Sequence, residues 1–81
     1  MNPIRKYREK QGLRQLDLAL LLGVSEMTIS HWERGARIPS EGIINKLAKI
    51  LKVNPDVLDS ELVSYYEQKE KTLKGKLGLG A

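Results

Sequence analysis

Among the side chains of this 81-residue sequence that could do chemistry, the one histidine, His31, has no partner of its kind. Without a cysteine or a second histidine, neither an acid–base histidine pair nor a thiolate metal site can be assembled, and a structural zinc site is not expected. GxSxG, HExxH and phosphate-binding glycine loops are absent from the sequence. Asp56 and Asp59 lie three apart, but they suit the first turn and the C-terminal end of a short helix. No catalysis, cofactor or metal is expected. What remains is charge. The net charge is +4 and the pI about 9.5. Residues 1–14 carry Arg5, Lys6, Arg8, Lys10 and Arg14 against Glu9 alone, and Lys69, Lys71, Lys74 and Lys76 stand against Glu70. Such clusters serve as solvated faces or as seats for a polyanion. Arg34 and Arg37 add two cations directly after the segment that holds His31.

The elements that must position these groups read as helices. Asn2-Pro3 is an N-cap followed by proline at the first helical position, and it predicts a helix over about residues 3–11 ended by Gly12. A second helix runs from about Gln15 to Leu22 and stops at Gly23. Ser25 caps a third, about 26–33, which Gly35 terminates. Pro39-Ser40 opens a fourth, with Ile43, Ile44, Leu47, Ala48, Ile50 and Leu51 at helical spacing. Asn54-Pro55 repeats the start signal for a fifth containing Val57 and Leu58. No stretch alternates with period two, so the fold class is all-α. A chain this short buries only about 60–65% of its unfolded surface, which favours one economical helical domain.

That domain is expected over residues 1–59. Beyond Asp59, Ser64 to Glu67 fits a capping box, and Leu62, Tyr66, Lys69 and Leu73 share one helical face. Residues 60–81 therefore read as a tail, helical to about 74 and then disordered. No apolar run nears the roughly 20 residues that span a bilayer, and no basic-then-apolar leader opens the chain. The expected setting is cytoplasmic, associated with the nucleoid, with no membrane.

Two short helices joined by a tight glycine turn, followed by a loop with two arginines, have the layout of a helix-turn-helix, whose second helix is offered to the DNA major groove. The residues also resemble a known family. Leu13-x-Gln15-x-x-Leu18-Ala19-x-x-Leu22-Gly23-Val24-Ser25, then Thr28-Ile29-Ser30-x-Trp32-Glu33-x-Gly35 and Pro39-Ser40, are similar to the phage-repressor (XRE-type) helix-turn-helix family. The likeness spans about residues 3–59. It implies a five-helix, lambda-repressor-like domain and a sequence-specific regulator that binds a palindromic operator in double-stranded DNA as a homodimer.

The resemblance assigns base reading to Glu26, Met27 and His31 on the third helix, with Thr28 and Ser30 also near the DNA. Glu26 can accept from cytosine N4, Met27 can pack on a thymine methyl, and His31 can donate to guanine or phosphate. Gln15 resembles the family's phosphate-contacting glutamine, and Arg34 and Arg37 are placed to grip phosphates with Ser30. Leu18, Leu22, Val24, Ile29 and Trp32 point inward, and Ala19 is small where the second and third helices cross. Arg8 and Glu33 correspond to an ion pair of the family, and both lie at the core's margin.

Two departures stand out. Arg14 occupies the place of a capping serine or threonine, and the expectation is that it exchanges that cap for a phosphate contact. Leu16, Leu20 and Leu21 fall where the family has polar residues, and Leu16 and Leu20, four apart, adjoin on the surface. A contiguous apolar patch suggests a protein contact. The competing expectation is accordingly an antitoxin or interaction module that binds a partner protein through these leucines or the tail.

Overall fold

The computed structural model describes residues 1–77, with side chains through Thr72. Five helices make up the described chain: α1 (Pro3–Lys10), α2 (Gln15–Leu22), α3 (Glu26–Glu33), α4 (Glu41–Leu51) and α5 (Pro55–Leu77). The start signals act through hydrogen bonds. The Oδ1 of Asn2 accepts from the backbone N–H of Ile4 at 2.7 Å, and that of Asn54 from Asp56 at 2.8 Å. Ser25 and Ser40 cap α3 and α4 in the same way. Pro39 precedes the Ser40 cap instead of opening the helix, and is buried.

Between α2 and α3 the chain turns at Gly23, whose φ of +78° lies in the left-handed region that costs glycine little. The Gly23 and Val24 N–H groups both donate to the Ala19 carbonyl, closing α2 over its last turn. Ala19 is only 1% exposed, so the last turn of α2 carries a buried small residue next to the turn that leads into α3. At the end of α4, Lys52 adopts the same left-handed conformation with φ +58°. The sequence carries no glycine there to announce it.

The core is built from Ile4 of α1, Leu18 and Ala19 of α2, Ile29 and Trp32 of α3, Ile44, Leu47, Ala48 and Leu51 of α4, and Leu58 and Leu62 of α5. Leu22, Val24, Ile43 and Ile50 pack at its edge. Of the neighbours Val57 and Leu58, only Leu58 is buried.

The largest difference from the sequence reading lies after Asp59. Instead of a short fifth helix and a second start at Ser64, α5 is one helix of 23 residues. Leu58, Leu62 and Tyr66 recur every four residues on its inner face, so α1 and α4 bury one continuous stripe. Glu61 reinforces this docking by accepting from Lys6 Nζ at 2.7 Å and from the Tyr7 hydroxyl at 2.6 Å. Tertiary burial thus overrides the local capping signal at Ser64. The helix also runs to Leu77, past the expected end near 74; the disorder expected of the last residues concerns 78–81, which lie outside the described residues.

The packing of α5 makes a sharp contrast between neighbours. Leu62→Ala is expected to cost about 2–5 kcal/mol, as for buried leucines generally, whereas Val63→Ala, at a half-exposed site, should cost under about 1 kcal/mol. Urea denaturation of the two variants checks this, and equal losses would mean that α5 is not part of the core beyond Asp59.

Candidate nucleic-acid interface

Helix α3 has two sharply different faces. Ile29, Trp32 and Glu33 are buried, while Glu26 and Met27 are exposed and Thr28, Ser30 and His31 half-buried. The outward set is therefore the one the family resemblance assigns to DNA. Met27, an apolar side chain 61% exposed, stands in water beside Glu26. Thr28 is partly committed, because its hydroxyl lies 2.8 Å from that of Ser25. His31 Nδ1 accepts from the Arg34 guanidinium at 3.2 Å. Arginine can only donate, so Nδ1 is the acceptor in this contact and Nε2 is the ring nitrogen left facing away from Arg34. Arg34 and Arg37 are exposed. Arg37 is tied down through its backbone, whose N–H donates to the His31 carbonyl at 3.3 Å. Its guanidinium has no hydrogen bond or ion pair among the described residues.

A buried carboxylate holds this surface together. Glu33 accepts from Arg8 Nε at 2.7 Å and from Arg8 NH2 at 3.0 Å, a two-pronged arrangement that arginine's planar fork permits and lysine cannot copy. The third guanidinium nitrogen donates to the Leu13 carbonyl at 2.8 Å. The Glu33 hydrogen bond, against the opposing effect of burial, raises the Arg8 pKa further above its ordinary value. Gln15 joins them: its amide nitrogen donates to Glu33 Oε1 at 3.2 Å. One carboxylate thereby ties α1, α2 and α3. Gln15 keeps a second amide hydrogen, so its orientation at the start of α2 is set by Glu33 while one donor stays available.

Asp17 is the residue that sequence reasoning missed. Arg14 does stand at the N-cap position of α2, but the cap is supplied from the third helical residue. Asp17 accepts from the Arg14 backbone N–H at 2.8 Å and from its guanidinium at 3.0 and 2.9 Å. These bonds hold the Asp17 carboxyl down to about 2. Arg14 is thus already neutralised by a neighbour, and a phosphate would have to compete with Asp17 for it. The signal was present as an acid three residues after the N-cap position, half of a capping box without its serine.

Leu16, Leu20 and Leu21 lie on α2 at 41, 73 and 61% exposure. Nothing among the described residues covers Leu20 or Leu21, α5 included. No helix of the described residues is long and apolar enough to cross a membrane.

With this geometry in place, comparison with known proteins identifies the class. Residues 4–58 match the family model described as helix-turn-helix. The Repressor protein C2 of Salmonella phage P22 is 40% identical over 55 residues, 68% of this chain and 26% of the repressor. The uncharacterised HTH-type transcriptional regulator YazB of Bacillus subtilis is 38% identical over 55 residues, 80% of its length. A further uncharacterised HTH-type transcriptional regulator, from Mycobacterium tuberculosis, is 40% identical over 55 residues, 39% of its length. No solved structure matches significantly. The chain belongs to the phage-repressor (XRE-type) helix-turn-helix family, a family of DNA-binding transcriptional regulators and not of enzymes. It spans about a quarter of the phage repressor's length and most of YazB's.

The Glu33 hub has a measurable cost of removal. Glu33→Ala should destabilise by about 3–5 kcal/mol because it strands the Arg8 charge in a buried position, and replacement of both residues by apolar side chains of similar volume should cost much less. Chemical denaturation decides, and a loss under about 0.5 kcal/mol would be that of a solvent-exposed pair.

Proposed function

We propose that this chain is a sequence-specific transcriptional regulator that places α3 in the major groove of an operator. The observation that carries the reading is the two-faced α3 just described. Its inner residues fasten it to α1, α2 and the core, while Glu26, Met27, Thr28 and His31 are left for base edges. Phosphates on either side would be met by Gln15 at the start of α2 and by Ser30, Arg34 and Arg37 near the end of α3, with Arg14 contributing if a phosphate displaces Asp17. Backbone N–H groups at the first turn of α2 add to this, since they lack partners within the helix.

One such domain reads only a few base pairs, so a palindromic operator bound by a homodimer follows from the need for specificity, with half-sites centred about 34 Å apart. The repressor name of the phage relative and the regulator names of the bacterial ones favour the same role. With no membrane-spanning helix among the described residues, the proposed setting is the cytoplasm, at the nucleoid.

Selection of bound sequences from random DNA tests the reading. Met27→Ala and His31→Ala should each relax preference at particular base pairs by about 1–3 kcal/mol. Arg37→Ala should weaken all sequences alike and lower the slope of log affinity against log salt by about one. Uniform losses with an unchanged base profile in the α3 variants would remove α3 from the groove.

A second reading is favoured by the uncovered leucines of α2: an antitoxin-like module that binds a partner protein, with DNA binding secondary. Sedimentation of Leu16→Glu with Leu20→Glu beside the parent separates the cases. Loss of a dimer or of a partner complex, with the helices intact, is expected if the patch is an interface. A variant that is only more soluble would leave the patch without one.

A further inference from the structure

One turn of α5 meets the end of α3 in a way that the core does not require. Helix α3 has eight residues and spans only about 12 Å, and its last carbonyls have no partners within the helix. Three successive carbonyls there receive donors from α5. The Tyr66 hydroxyl donates to the Trp32 carbonyl at 3.2 Å, the Tyr65 hydroxyl to the Glu33 carbonyl at 3.3 Å, and the Lys69 ammonium to the Arg34 carbonyl. From the opposite end of the chain, Asn2 Nδ2 donates to the Trp32 carbonyl at 3.1 Å. The Lys69 stem lies so close over Gly35 that a Cβ there would come within 2.8 Å of it. A cation at this end also complements the negative end of the α3 dipole.

We infer that Tyr65, Tyr66 and Lys69 are positioning residues for DNA reading: they clamp the C-terminal end of α3 and so set the angle at which Glu26, Met27 and His31 meet the bases. The inference rests on the proposed role of α3. The physical reason is leverage. If a rod of about 12 Å tilts by about 10° at its C-terminal end, its first residue moves by about 2 Å, which is enough to break hydrogen bonds that tolerate only a few tenths of an ångström. The family match ends at residue 58, so the clamp belongs to the part of α5 that this chain adds to the matched domain. The DNA-reading unit then extends through Lys69.

The test uses the full chain with Tyr65→Phe, Tyr66→Phe and Lys69→Met combined, which keeps both rings and removes the three donors. Lys71→Met, an exposed site that loses the same charge, is the control. Both proteins should melt cooperatively. In the free triple variant, amide hydrogen exchange at Gly35 and Ala36 should quicken about tenfold relative to the control, with α4 unchanged. Affinity for a sequence selected by the parent should fall about tenfold, with flattened preference at the bases read by α3 and a salt slope equal to the control's. Affinity and base preference equal to the control's would overturn the clamp. So would a loss that lowers the salt slope by about one and leaves base preference intact, which would make Lys69 a phosphate contact. If the parent selects no sequence at all, the DNA reading fails and the positioning role with it, an outcome separate from these.

Discussion

The buried carboxylate of Glu33 is the constraint on which the rest of the structure depends. An ionised group is costly to take out of water and is tolerated only when its lone pairs are filled. Arg8 fills three of the available positions in this neighbourhood, two on the carboxylate and one on the Leu13 carbonyl, and Gln15 fills another on Glu33. Because these donors come from α1 and α2, satisfying the charge fixes three helices at once. An apolar contact would hold the same helices together with less directional demand. The ion pair specifies how α3 is rotated about its own axis, and hence which of its residues look outward.

The other half of the arrangement is α5. It supplies two buried leucines and a tyrosine to the core, and then three polar groups to the end of α3. Its outer partner on α1, the Lys6–Tyr7–Glu61 group, is a surface cluster in which the hydrogen bond to Glu61 raises both the Lys6 and Tyr7 pKa values. Tyr66 is held more deeply, and burial pushes its hydroxyl up to about 12. It stays protonated, and able to donate, through the whole physiological range.

Much of this was legible in the sequence because it is local. Asn2-Pro3, Gly23, Ser25 and Asn54-Pro55 each act within a few residues, and each marks a helix boundary where the structure has one. The spacing of Leu18, Ile29, Trp32, Leu47 and Leu51 likewise shows the inner faces. What escaped depends on contacts distant in the chain. Ser64 looks like a helix start until Leu62 and Tyr66 are seen buried on one stripe with Leu58. Backbone carbonyls carry no residue signature, so nothing in the sequence announces that Trp32, Glu33 and Arg34 offer theirs to Tyr66, Tyr65 and Lys69. Lys52 adopts a left-handed conformation that its residue type disfavours, and Asp17 caps α2 without the serine that normally flags such a site. The outward residues of α3 could be named from the family pattern alone, but how far each is exposed and to what it is tied came only with the fold.

The pairing of α1 with α5 also has a consequence for how the chain comes to be folded. Lys6 and Glu61 are 55 residues apart, and Tyr7 and Glu61 are 54. During synthesis from the N-terminus, α1 to α4 leave the ribosome before the segment that closes them. Until α5 emerges, the sides of α1 and α4 that it covers face water, and the last carbonyls of α3 lack their α5 donors. A chain halted near residue 58 would contain every residue of the matched family domain. It would still lack Leu62, Tyr65, Tyr66 and Lys69, so the C-terminal end of α3 would keep its ties to Arg8, Gln15 and Asn2 and lose those to α5.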